Sequence, residues 1–179
     1  MRPKDEWEII AQEDTPIDEL IRRFIIPLSL LAPIATVIGM EFFDASWDED
    51  IGYVVPSTDI YAAGATTLFA SILSIFALAG IFVLIAPLYG SSRHYPAALK
   101  VATYGAVPVM LAGATLVIPV MAIVGLVGLC HSLFLFWLGA RQVLHVNREQ
   151  QAEFIGISMM LFVVASTLAG ATASAMGFF

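Results

Sequence analysis

Chemistry inside a bilayer calls for ionisable side chains at depth, where they are costly and are kept for a reason, and this sequence offers few. His131 lies in a long apolar run beside Cys130. A neutral imidazole can ligate a metal or carry a proton, but no second His, Asp or Glu falls at comparable depth to complete a relay or a ligand set. Glu41 stands about one turn from the end of another apolar run, where it reaches the interface as a solvated acid. His94 and His145 lie in polar connections among basic neighbours, without ligand spacing, and read as surface residues. The single cysteine excludes an intrachain disulfide, a four-cysteine zinc site and a cysteine-held iron–sulfur cluster. A glycine-rich phosphate loop ending in Lys-Ser or Lys-Thr, His-Glu-x-x-His, Gly-x-Ser-x-Gly and Cys-x-x-Cys-His are all missing from the sequence. These absences argue against an ATP-driven pump, a membrane hydrolase and a c-type cytochrome. The sequence predicts a chain that is not an enzyme, with no cofactor and no metal site.

The elements that would position any such group are membrane helices. Of the 179 residues, 59% are apolar and 13% charged, against about 45–50% and about 25% in soluble domains. Mean hydropathy is +0.87, too apolar for a water-facing surface. A hydrocarbon core of about 30 Å takes roughly 20 mostly apolar residues as helix, and five such runs are present at about 24–43, 60–88, 98–117, 120–140 and 154–176. The third and fourth share an apolar stretch that reverses near Pro119, because Ile118 ahead of that proline is biased away from helix. The fold class is therefore all-α: a polytopic membrane protein of five transmembrane helices, with short amphipathic helices at the amino terminus.

Basic residues collect on the cytoplasmic side of span ends, and acids count for little in that rule. Arg2, Lys4, Arg22 and Arg23 precede the first span, Arg93 and Lys100 lie between the second and third, and Arg141 and Arg148 lie between the fourth and fifth. That places all eight on one side. The predicted location is the inner membrane, amino terminus cytoplasmic and carboxyl terminus outside. A cleaved leader is not expected, since seven acids precede a full-length first span. The net charge of −7 has the wrong sign for nucleic acid.

Residues 1–23 are predicted as an interfacial amphipathic segment of two short helices, set apart from the 24–179 membrane domain. Trp7, Ile10 and Ala11 share one face of the first, and Ile17, Leu20 and Ile21 form the stripe of the second. Thr15-Pro16-Ile17-Asp18 places Thr15 at the helix cap and Pro16 at the first helical position. Trp7, Ile10, Ile17, Leu20 and Ile21 are the candidate docking residues of this segment, against the membrane surface or a partner. Trp47, Tyr53 and Tyr61 read as an interfacial aromatic belt on the opposite side.

The strongest positive signal is packing. Lipid tails compete with Leu for Leu, so membrane helices associate where small residues allow close backbone approach. In the fifth span Ala165, Ala169, Ala173 and Gly177 recur every four residues, with Ser166, Gly170 and Ser174 in the next row. That face runs about 18 Å. It is the candidate helix-packing or partner interface. Gly64, Ala63, Ser71, Ser74 and Ala77 in the second span, and Gly125 and Gly128 in the fourth, are further small positions.

Several local sequences then resemble one family. The opening Glu6-Trp7-Glu8-Ile9-Ile10-Ala11, the run to Ile26-Pro27-Leu28, and Gly39 are similar to the start of prokaryotic members of the Yip (Ypt/Rab-interacting protein) domain family. Ala86-Pro87-Leu88-Tyr89-Gly90, Ala98-Leu99-Lys100, Tyr104-Gly105-Ala106-Val107-Pro108, Ile118-Pro119 and Leu138-Gly139 look like its later landmarks. The resemblance covers almost the whole chain. It implies five spans and a cytoplasmic amino terminus, and it brings no catalytic residues. Eukaryotic members have a longer amino-terminal region and are linked to Rab-type GTPases; with about 23 residues there, a GTPase partner is not expected.

The partners expected are membrane lipids and other membrane subunits or a second copy of the chain. The leading expectation is a non-enzymatic protein that acts by helix packing, as an accessory or scaffold subunit or as a homo-oligomer. The alternative is a small transporter, or a protein that moves lipid or solute, with a path lined by Ser71, Ser74, Tyr104 and His131. Such a path requires those four side chains to converge on one cavity, with Pro108 breaking its helix nearby.

Overall fold

The computed structural model describes residues 3–44, 57–91, 93–118 and 121–175. Five helical segments are long and apolar enough to cross a membrane: Ile17–Phe42, Ile60–Tyr89, Tyr95–Val117, Ile123–Gln142 and Gln151–Ala173. No strand occurs among the described residues. The helices are α1 (Pro3–Gln12), α2 (Ile17–Leu20), α3 (Ile26–Ser29), α4 (Leu31–Gly39), α5 (Ser57–Ile85), α6 (Tyr95–Gly113), α7 (Ala122–Gln142) and α8 (Gln151–Ala175).

The first span departs most from expectation. The helical segment that carries it begins at Ile17, ahead of the apolar run that starts near residue 24, because α2 runs into α3 through a π turn at Ile21–Ile25. Pro27 has no N–H for the carbonyl four residues back, and the wide turn just ahead of it absorbs that loss. A second interruption at Leu30 precedes Pro33 for the same reason. The helix cap also shifts: Pro16, extended at φ −69° and ψ 150°, caps α2 without a side-chain bond. Thr15 instead donates its hydroxyl to the Glu13 carboxylate at 3.4 Å. Arg22 pairs with Asp18, and Arg23 with Glu19 at 2.8 Å, one turn apart on the exposed side.

The second span closes in a 3₁₀ turn, Ala86–Tyr89, with Gly90 at φ +72°, a left-handed stop that glycine reaches without penalty. His94 then caps α6: its Nδ1 accepts the Ala97 N–H at 3.3 Å. The third span ends in another 3₁₀ turn, Ala114–Val117, and Ile118 is extended as the residue ahead of a proline should be; Pro119 itself lies outside the described residues, as do Trp47 and Tyr53.

The spans meet through glycines. A Cβ at Gly128 of α7 would stand 2.7 Å from the Ala112 methyl and 2.8 Å from the Pro108 carbonyl oxygen. The same holds for Gly39 against the Leu116 carbonyl (2.9 Å) and Gly64 against Val37 (2.5 Å). Phe82 of α5 anchors the other seam, with its ring 5.6 Å from Phe154 of α8 and 5.9 Å from Phe136 of α7. By contrast, a Cβ at Gly156 would meet nothing within 4 Å.

These contacts predict opposite outcomes for two glycines. Gly128→Val should lower unfolding stability by about 1–3 kcal/mol, the range of overpacked sites. Gly156→Ala should leave stability unchanged or raise it by up to about 1 kcal/mol. Thermal unfolding in mild detergent measures both, and equal effects would contradict the assignment of close backbone contact to Gly128.

Candidate functional site

The four residues proposed to line a path fall in three places. Ser71 and Ser74 border a cavity of about 200 Å³ between the first, second and third spans, with Leu28, Ala32, Ala106 and Met110. The Ser74 hydroxyl donates to the Ser71 carbonyl at 2.8 Å, which turns it onto its own helix. Tyr104 is half-buried with its ring edge-on to Phe24 at 4.9 Å. It borders a different crevice, of about 510 Å³, beside Ile10, Glu13, Thr15 and Glu19. His131 is exposed on the bundle's flank, 6.2 Å from the Phe134 ring.

The neighbour of His131 matters more to the architecture. Ser132 is fully buried, and its hydroxyl accepts the Val109 N–H at 3.1 Å. Pro108 disrupts the hydrogen-bond ladder of α6 at that point, and a hydroxyl from the next helix supplies a partner where water cannot. Sequence reasoning passed over Ser132; the signal available was a serine in an apolar run opposite an intrahelical proline.

The amino-terminal segment folds back onto its own bundle. Trp7 is buried against α6 and α7, and a Cβ at Gly139 would meet its ring at 2.8 Å and Val101 at 3.0 Å. Leu20 is fully buried, Ile10 and Ile21 are half-buried against the core, and Ile17 is exposed. Gln142 reaches Glu8 at 3.5 Å. Lys100, only 8% exposed, donates its ammonium to the Glu13 carbonyl just past the end of α1, where a cation complements the negative end of a helix. Beside it opens a crevice of about 390 Å³, bordered by Glu13, Asp14, Ser91, His94 and His145. At the opposite end of the bundle the Tyr61 hydroxyl donates to Glu41 at 3.2 Å, tying the first two spans together.

The fifth span is anchored along half its length. Phe154, Ile155 and Ser158 are buried, whereas Val163 to Thr172 are exposed without a break. Ala165, Ala169 and Gly170 therefore face outward, Ala173 is half-buried, Ser174 continues the helix, and Gly177 lies outside the described residues. A Cβ at Gly170 would meet nothing within 4 Å. Among the described residues no group of three or more His, Cys, Asp or Glu is placed to hold a metal.

The family model of the Yip1 domain matches residues 1–171, which takes in all five spans and the folded-back amino terminus. The chain belongs to the Yip1 domain family. It is an integral, multi-pass inner membrane protein of that family. Two relatives, each an inner membrane protein YohC, from Escherichia coli strain K12 and from strain O6:H1, are 23% identical over 181 residues, covering 93% of this chain and 90% of theirs. No solved structure matches the chain. In this Yip1 protein Tyr104 and Pro108 of the family-like Tyr-x-x-x-Pro stand within α6, where the proline faces Gly128 and the tyrosine faces Phe24.

Two adjacent residues of the fourth span should thus behave differently. Ser132→Ala leaves the Val109 N–H without its partner and should cost about 1 kcal/mol, the scale of hydrogen bonds between membrane helices. His131→Ala should change unfolding stability by less than about 0.5 kcal/mol, as surface substitutions do. Comparing the two unfolding curves in detergent tests the pair; a larger loss from His131→Ala would reverse the roles assigned here.

Proposed function

We propose that this Yip1-family protein works without catalysis, as a packing subunit of the inner membrane: an accessory or scaffold component of a larger assembly, or a homo-oligomer. Its contact face is the carboxyl-terminal half of the fifth span, with Ala165, Ala169, Gly170 and Ala173 at the centre. The observation that carries this reading is a contrast in how small residues are used. Gly39, Gly64, Gly105, Gly113, Gly128 and Gly139 each stand against another element of the same chain. The small residues from Ala165 to Gly170 recur at the spacing that lets helices approach; they are exposed, and a Cβ at Gly170 would meet nothing within 4 Å among the described residues. The scatter of Ser71, Ser74, Tyr104 and His131 over three separate places favours this reading over a solute path.

The basic residues at the connections between spans support an orientation with the amino terminus in the cytoplasm. The amino-terminal helix, folded onto the bundle through Trp7 and Lys100, leaves little of its apolar face for a GTPase. A Rab-type partner is not part of this proposal.

Extraction from native membranes in mild detergent, with size determination and identification of co-purifying chains, tests the proposal. The protein should travel in a species larger than one chain. Ala169→Leu together with Ala173→Leu should release it as a single chain while its thermal unfolding changes by less than about 0.5 kcal/mol, as expected away from the core. A wild-type protein that extracts alone, or a double variant that keeps the full assembly, would overturn the reading.

A further inference from the structure

The geometry points to a binding site for a zwitterionic phosphoethanolamine-type headgroup in the crevice of about 390 Å³ at the amino-terminal end of the bundle. Its volume lies within the roughly 300–1,000 Å³ typical of small-molecule sites. It opens where the second span ends, the third begins and the fourth ends, which is headgroup level for a protein of this topology. The site is separate from the fifth-span face and does not depend on it.

Lys100 sets the chemistry. The residue is more than nine-tenths buried and borders the crevice, and among the described residues its ammonium has one hydrogen bond, to the neutral Glu13 carbonyl. An ammonium carries three donors, and among the described residues no carboxylate pairs with this one. Burying a cation without a counter-charge is costly, and a phosphate oxygen supplies the missing charge. His94 adds a donor: with Nδ1 occupied by the Ala97 N–H, its proton sits on Nε2. The Ser91 hydroxyl is spent on the Leu144 carbonyl, and His145, held at φ +56°, stands at the rim.

The other charges on the crevice are the carboxylates of Glu13 and Asp14. Both residues are exposed, so they lie at the mouth while Lys100 lies inside. A purely anionic headgroup would meet repulsion at that mouth. A zwitterion places phosphate on Lys100 and His94 and ammonium on the two acids. The ammonium should be primary rather than trimethylated, because carboxylates accept N–H bonds whereas quaternary ammonium is recognised by aromatic rings. No Phe, Tyr or Trp ring borders this crevice among the described residues.

The test is native mass spectrometry of the full-length protein offered equal amounts of phosphatidylethanolamine, phosphatidylglycerol and phosphatidylcholine. Phosphatidylethanolamine should be retained over the other two. Glu13→Gln with Asp14→Asn, both exposed and outside the core, should move the preference to phosphatidylglycerol. Lys100→Gln should weaken retention of both phosphatidylethanolamine and phosphatidylglycerol about tenfold, the worth of one charged hydrogen bond. If Lys100→Gln does not fold, the rim variant decides alone. Equal retention of the three lipids by the wild type, or an unchanged preference in the rim variant, would overturn the site. Free phosphoethanolamine separates the sources: displacement of the lipid shows that the headgroup suffices, and failure to displace it shows that acyl chains share the binding. Either result upholds the headgroup site.

Discussion

The third and fourth spans pass so closely at Gly128 that a single methyl group there would collide with the Pro108 carbonyl and with Ala112. The rest of the bundle depends on this crossing. In lipid no water stands by to satisfy a broken ladder, so the proline of α6 is tolerable only if a neighbour is near enough to help. Gly128 provides the proximity and Ser132, one turn on along α7, provides the hydroxyl. The two residues solve one problem together. With α6 and α7 fixed in this way, Phe136 of α7 is positioned against Phe82, and Phe82 in turn receives Phe154. The fifth span is thereby held at its beginning by aromatic packing, with no polar contribution from its distal half.

At the amino-terminal end a second set of contacts does comparable work with different chemistry. Trp7 fills the recess above Gly139, and Lys100 ties off the carbonyl at the end of α1. Both act on the same short helix from opposite sides. A ten-residue helix is marginal in isolation, so its stability comes from this docking and not from its own ladder. The exposed Glu6 and Glu8 follow from the same geometry: with Trp7 inward, its two neighbours lie on the outer part of the helix, where Gln142 still reaches Glu8.

Much of this was legible in the sequence, and the remainder has identifiable causes. Five spans and the reversal ahead of Pro119 follow from hydropathy and proline stereochemistry, which act locally. The continuation of the first helix back to Ile17 does not, because the charges of Asp18, Glu19, Arg22 and Arg23 end an apolar run while their pairing along one face lets the helix continue. Thr15 was misplaced as a cap because Pro16 occupies the cap itself. Trp7 and Leu20 read as docking residues for the membrane surface or a partner, since periodicity shows that a face is apolar and cannot say which apolar body it meets. Ser132 and Gly139 owe their roles to contacts with residues distant in sequence, and no spacing rule within one helix reveals those.

The distal fifth span combines two properties that are ordinarily in tension. Two of its hydroxyls are turned onto their own ladder: Thr167 donates to the Val163 carbonyl at 2.8 Å and Thr172 to the Ala169 carbonyl at 2.9 Å. That leaves these two groups satisfied in hydrocarbon. Between them Ala169, Gly170 and Ala171 are small, the side-chain size at which membrane helices approach one another closely. The buried contacts of the fifth span gather toward its beginning, at Phe154, Ile155 and Ser158 with Phe162 packed against the same core, and the proposed contact face lies beyond them. Under the packing role proposed above, a neighbouring helix seated on that face would leave the buried contacts of Phe154 and Ser158 in place.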